Sequence, residues 1–316
     1  MPLRVFSGFL TAFSLALAVC FAQSEKVQEV PASPYTFHIP VNEISLRFHA
    51  TDSKNRPLTQ LTVRDLAVSD NGKPQNDIVM LKPLLNLPIR AGFLFDASGS
   101  MIEDIDFDRS VIRTYASRLL RRGADKAFVM QFDTEPLMLQ NWTDESSSIA
   151  AGAAAVRIRP GRHNPLTAIF DTLYRACRDD WNANPLQSTG NFIVLFSDGQ
   201  DDASHVYLSE AVDMCQRRHV AIYVLYPGRS GRYAGGHQTL EDLASQTGGC
   251  AFIHPRRSDI WKDLREIEEE QRNQYLLVYK RSNLKADRSF HTIQLRCLIP
   301  GSRVVVRSGY YAFARP

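Results

Sequence analysis

Asp96, Ser98 and Ser100 alternate with Ala97 and Gly99 in FLFDASGSMIE (93–103), where a run of large apolar residues ends. Three small oxygen-bearing side chains two residues apart suit a hard cation, a nucleophile with its supports, or a plain polar turn. A second aspartate, Asp198, closes another apolar run in FIVLFSDG, and Thr167 opens a helical segment in NPLTAIFDTL. Two carboxylates and three hydroxyls are all oxygen donors, the set Mg²⁺ accepts in near-octahedral geometry while keeping some waters. No histidine or cysteine lies inside the three loops, so nothing soft is needed. A serine-hydrolase reading lacks the first glycine of G-x-S-x-G, and no histidine is placed as its base. His205, near SDGQDD, reads as a solvent-facing residue at a helix start. Asp96 as a phosphotransfer nucleophile would want an aspartate at 98, where the chain has Ser98.

Residues a hundred positions apart form one site only if the fold delivers them to the same place. In open α/β sheets, ligands sit beyond the carboxyl ends of the strands, where strand order reverses. From Ile89 onward, evenly apolar runs (RAGFLF, AFVMQF, NFIVLF, AIYVLY and CAFIHP) alternate with helical stretches such as DRSVIRTYASRLLRR and DIWKDLREIEEEQRN. That pattern predicts a doubly wound, mostly parallel α/β sheet over 88–272. With strand order 3-2-1-4-5-6, the strands ending at Asp96 and Asp198 are neighbours at the reversal.

The flanks have a different period. NEISLRFHA alternates Ile44, Leu46, Phe48 and Ala50 with polar residues, and Asn71-Gly72 is a strong hairpin signal. QYLLVYK, FHTIQLRCLI and SRVVVRSGYYAF return to strands after Asn273. Neither flank alone holds enough strands for a stable core. Segments 35–87 and 273–316 are therefore expected to form one β-sandwich-like domain, with 88–272 inserted between them.

Arg4 precedes an apolar run from Val5 to Val19 with small residues near Ala22, which reads as a secretory signal peptide (1–22) followed by a polar linker (23–34). A secreted or periplasmic chain with no stable membrane span after cleavage is expected. Cys177, Cys215, Cys250 and Cys297 would remain, as disulfides or as buried thiols. Among 316 residues, a formal charge of +3 argues against a nucleic-acid binder. PGRSGRYAGGHQ (227–238) lacks the GK[ST] of a phosphate-binding loop and reads as a flexible surface loop.

Taken together, DASGS, the threonine at a helix start and SDG after a strand resemble the metal-ion-dependent adhesion site of von Willebrand factor type A domains. The flanking stretches RPLTQLTVRDLAVSDNGKPQ and RVVVRSGYYA resemble a secreted bacterial subgroup, the VWFA-related acidobacterial-type domain proteins, over about 36–314. The resemblance implies that Ser98, Ser100 and Thr167 touch Mg²⁺ (or Mn²⁺ or Ca²⁺) through hydroxyls, with Asp96 and Asp198 acting directly or through water. It implies a non-enzymatic module whose open coordination position takes an Asp or Glu carboxylate of a partner protein. A metal-dependent hydrolase or phosphatase, or a structural envelope-assembly module, are the rival readings. Where family members often carry glycines before the threonine, this chain has Asn164, Pro165 and Leu166. RIRPGRH places Arg157, Arg159 and Arg162 just upstream, as a basic rim steering acidic partners or as a solvated loop.

Overall fold

The computed structural model describes residues 43–158, 166–181, 188–226, 234–253, 258–281 and 286–313, without the side chains of 234 and 235. The signal-peptide and linker segments, Arg159, Arg162, Asn164 and Pro165 lie outside the described residues.

Alternation along the first flank gives each strand one face to bury. β1 (Glu43–Thr51) turns Ile44, Leu46, Phe48 and Ala50 inward. β2 (Leu66–Asp70) and β3 (Lys73–Pro74) form the hairpin at Asn71-Gly72, whose φ values of 49° and 74° are those a two-residue turn requires. β4 (Ile78–Leu84) completes this flank.

The inserted part follows with β5 (Ile89–Asp96), α1 (Ile105–Leu119), β6 (Lys126–Phe132), β7 (Pro136–Thr143), α2 (Ser146–Ala155) and α3 (Ile169–Arg175). It continues through β8 (Gly190–Phe196), α4 (Leu208–Arg217), β9 (Val220–Tyr226), α5 (Ala234–Thr247), β10 (Ala251–Ile253) and α6 (Ile260–Arg272). Its sheet has the order β10-β9-β8-β5-β6-β7, parallel except where β7 runs against β6. In the order of the inserted part's own strands this is 3-2-1-4-5-6, as expected. β5 and β8 are neighbours, with Phe95 opposite Phe196, and the two rings stack at 4.9 Å. The sheet is buried on both faces. Residues of α1, α2 and α6 pack on one, and residues of α3, α4 and α5 on the other.

Two elements escape the apolar-run reading. β7 is a half-exposed edge strand of mixed polarity, and α2, SSSIAAGAAA, has too little contrast between its faces to read as an amphipathic helix. One expectation is corrected outright. Residues 234–238 of the glycine-rich stretch belong to the first turn of α5 rather than to a loop, while 227–233 lie outside the described residues.

α6 passes through Asn273 directly into β11 (Gln274–Lys280), followed by β12 (Phe290–Cys297), β13 (Arg303–Val306) and β14 (Gly309–Tyr311). These strands pair with those of the first flank in two four-stranded sheets, β13-β1-β11-β4 and β14-β12-β2-β3. Their shared core holds Leu46, Phe48, Val68, Tyr275, Tyr279 and Leu295. Where the inserted part joins the flank, Arg272 donates to Asp125 at 3.0 and 3.2 Å, and Arg121 donates to the same carboxylate. These hydrogen bonds outweigh the burial that raises an acid's pKa and hold Asp125 well below the usual carboxylate range.

Cys177 and Cys215 form a buried disulfide joining the π-helical turn after α3 to α4, and Cys250 and Cys297 are free thiols. No helix among the described residues is long and apolar enough to cross a membrane.

Candidate metal centre

From Ala91 onward β5 is apolar until its last residue, so it carries Asp96 to the carboxyl rim of the sheet and buries it completely. The carboxylate is held from two strands. Oδ1 accepts the Ser98 N–H at 2.9 Å, which shapes the turn, and Oδ2 accepts the Ser197 hydroxyl at 2.7 Å from the end of β8. Ser98 and Ser100 place their Oγ atoms 3.0 Å apart as the chain enters a short 3₁₀ turn, Gly99–Glu103. Burial pushes the Asp96 carboxyl up to about 7. Hydrogen bonds from Ser98 and Ser197 pull the other way, and the charge of Asp198 adds to the rise.

Asp198 reaches the same crevice from β8. Its Oδ1 accepts the Gln200 N–H at 3.2 Å, whereas its Oδ2 is buried with no hydrogen-bond partner among the described residues. The backbone just beyond is tightly packed. Gly199 has φ of 83°, and a Cβ on Gly236, in the first turn of α5, would stand 2.3 Å from the Asp198 carbonyl oxygen.

Thr167 is brought to this rim by backbone contacts. At the end of β6, the Phe132 carbonyl accepts the Ala97 N–H at 2.7 Å and the Asp133 carbonyl accepts the Ala168 N–H at 2.8 Å. One strand end thus holds both the serine loop and the threonine loop. From the other side, Asp202 Oδ1 accepts the Thr167 N–H at 2.6 Å, and the Thr167 carbonyl accepts the N–H groups of Asp202 and Ala203. Asp201 accepts the Ile169 N–H at 2.8 Å. Thr167 is buried and Leu166 is 50% exposed. Among the described residues, no hydrogen bond links the Thr167 side chain to the other four candidates.

Ser197, Asp201 and Asp202 were not singled out from the sequence. The acidic run in SDGQDD was the available signal, because carboxylates following a strand-end loop can accept the unpaired N–H groups of a neighbouring helix start. His205 faces solvent as expected and pairs with Asp171 at 2.9 Å, but it sits in the loop three residues before α4 rather than at a helix start. Arg157, the described member of the basic rim, donates to the Val156 carbonyl at 2.7 Å and to the Ala154 carbonyl, so its guanidinium is turned onto the end of α2.

Two acidic side chains buried in one crevice repel each other unless a proton or a cation sits between them. The donor set is all oxygen and includes an orphaned buried carboxylate oxygen, so these residues fit a hard divalent cation. Each Asp96 oxygen accepts one hydrogen bond, from the Ser98 N–H and the Ser197 hydroxyl, and keeps a lone pair toward the crevice. A Ser–His–Asp trio among the described residues lies elsewhere, in the β-sandwich, and is wired backwards. His291 Nδ1 accepts from Asn71 at 3.2 Å and from Arg281, so Nε2 carries the proton and faces Ser289 Oγ at 2.9 Å. The Ser289 hydroxyl in turn donates to Asp287 at 2.6 Å. A histidine in that tautomer cannot take the serine proton.

The von Willebrand factor type A domain model matches residues 92–270, more than half of the chain. The protein belongs to the von Willebrand factor type A (VWA) family. VWA domains are interaction modules, and their adhesion site often holds a divalent cation. Among solved structures, the BatB protein of Bacteroides thetaiotaomicron is similar at 16% identity and TM-score 0.46, over 57% of this chain and 98% of that one. A von Willebrand factor type A protein from Catenulispora acidiphila is similar at 13% identity and TM-score 0.48, over 78% of this chain and 72% of that one. Proximal thread matrix protein 1 from the mussel byssus, with a zinc-occupied adhesion-site motif, is similar at 16% identity and TM-score 0.48, over 65% and 50%. These likenesses concern the VWA fold. No curated protein matches the chain.

Proposed function

We propose that the VWA domain binds a partner protein through a divalent cation, Mg²⁺ or Mn²⁺, held by Ser98, Ser100, Thr167, Asp96 and Asp198. The observation that carries this reading is the buried Asp198 Oδ2, which has no hydrogen-bond partner among the described residues and lies beside the equally buried Asp96. Leaving such an oxygen unmatched costs about 1–3 kcal/mol or more, a cost that a cation in the crevice would remove. With two carboxylates and three neutral hydroxyls as ligands, the ion keeps an affinity for one further anionic oxygen. An Asp or Glu side chain on a partner supplies it. The site residues themselves hold the ion, exclude water on the sheet side and leave the outer face open.

The buried Cys177–Cys215 disulfide supports an oxidising compartment, as do Arg4 and the apolar run after it. We place the mature protein outside the cytoplasm and, by the likeness of its flanks, in the acidobacterial-type subgroup. Detection of a mature N-terminus near Ala22 would test this, and an intact N-terminus in a cytoplasmic fraction would refute it.

The functional test is calorimetric titration with Mn²⁺ and Mg²⁺, paired with a pull-down from envelope or medium with and without EDTA. Wild type is expected to bind one ion and to capture a partner only with metal present, and Asp96→Ala to do neither. Equal metal binding by both proteins would sink the site. EDTA-resistant capture by a folded protein would sink the metal-dependent mode.

A further inference from the structure

A polar cavity lies at the other end of the central sheet, near the starts of the strands and away from the metal-site loops. Because Ile44, Leu46 and Phe48 take the inner face of β1, Ser45, Arg47 and His49 take its outer face, toward α4, α5 and α6. With Gln216, Tyr223, Glu270 and Arg307 they line a small cavity of about 50 Å³ between the β-sandwich and the VWA domain.

Arg47 is the unusual member. Its Nη1 donates to the Thr189 carbonyl at 2.5 Å and reaches Gln274 Oε1 at 3.5 Å, but its Nε is buried with no acceptor. It has no ion-pair partner among the described residues. Burial lowers its pKa to about 10, which still leaves it cationic at neutral pH. A half-buried guanidinium with its Nε shut from water and no counter-charge is unfavourable. A second guanidinium stands close by. Arg307 donates to the Ser45 carbonyl at 3.0 Å and to Gln216 Oε1 at 3.2 Å. The Ser45 carbonyl that Arg307 reaches lies two residues from Arg47 on one strand, roughly 7 Å along it, and both guanidiniums border the one cavity. Glu270 does not supply the missing charge. Its carboxylate accepts the Tyr223 hydroxyl at 2.9 Å, and the neighbouring charges that act on it are Arg303 and Glu266.

We propose that this cavity binds a small tetrahedral oxyanion, phosphate or sulfate, between Arg47 and Arg307 where the β-sandwich meets the VWA domain. Guanidinium forks match the paired oxygens of such an ion. Water can also fill a polar space of this kind, but water leaves the Arg47 charge uncompensated. Since the walls come from both parts of the molecule, the bound ion joins them and stabilises their contact. The inference uses no residue of the metal centre.

Equilibrium dialysis of the full chain with radiolabelled inorganic phosphate at constant ionic strength provides the test, with sulfate and acetate as competitors. One saturable phosphate per chain is expected, displaced by sulfate and poorly by acetate. Arg47→Gln should lose the binding and, without phosphate, unfold at or above the wild-type temperature, because the lone half-buried charge is gone. Arg307→Lys, which keeps the charge but not the fork, should weaken binding and serves if Arg47→Gln does not fold. Absence of saturable binding to wild type, or undiminished binding by whichever variant folds, would overturn the proposal. Displacement by acetate but not sulfate would overturn the tetrahedral assignment.

Discussion

At the scale of single residues, the proposed metal centre would depend on side chains that do not themselves face the ion. Asp202 is the clearest case. It fixes the Thr167 N–H at 2.6 Å, in the loop where Pro165 and Leu166 replace the glycines common in relatives. Asp202→Ala is therefore expected to weaken Mn²⁺ binding roughly 10–100-fold, the range for groups that orient ligands. Calorimetry reads the loss, and an unchanged affinity would mean that the Thr167 loop is positioned without this clamp. The five candidate residues were legible in the sequence because oxygen-bearing side chains interrupt apolar runs conspicuously. Ser197 was not, since one serine beside an aspartate looks like any polar loop until β8 is set next to β5.

Among the secondary-structure elements, the loops are held by what packs behind them. The first turn of α5 presses on the SDG loop, and Gly236 has no room for a side chain. Gly236→Ala should force the Asp198 backbone outward and reduce metal binding while the chain still folds. Titration of the folded variant decides this, and wild-type affinity would show that the loop can yield. The disulfide joins the turn after α3 to α4, the helices that follow the threonine and SDG loops. With a sequence separation of 38 between the cysteines, replacing both by alanine should cost about 4 kcal/mol by loop-closure entropy. Thermal unfolding of the variant, compared with wild type under reducing and oxidising conditions, measures it. The parallel strands announced themselves by their apolar runs. β7, α2 and the start of α5 did not, because edge strands and small-residue helices carry little contrast between faces.

At the scale of the whole molecule, the contact between VWA domain and β-sandwich contains a titrating group. Burial raises the Glu270 carboxyl from its usual range to about 7, partly offset by its hydrogen bond from Tyr223. An acid whose folded pKa exceeds its unfolded value favours the folded state at low pH. That contribution is full below about pH 4.5 and is lost as pH rises to about 7. Glu270→Gln should remove this slope and leave the variant more stable than wild type at pH 8, by up to about 3 kcal/mol. Chemical denaturation at pH 5 and pH 8 checks the sign, and a variant less stable at pH 8 would contradict it.

By itself the sequence determined the α/β alternation, the hairpin at Asn71-Gly72 and the oxygen-rich strand ends, because burial periodicity and turn chemistry are local properties of the chain. Whether 3-2-1-4-5-6 was the strand order, and hence whether Asp96 and Asp198 share a crevice, was decided by tertiary pairing of β5 with β8. The same holds for the partnering of Cys177 with Cys215, for Asp202 under the threonine loop, and for the half-buried Arg47, which meets no acid among the described residues. Each is a contact between segments distant in sequence, and no local pattern of residues encodes which distant surface a side chain will meet.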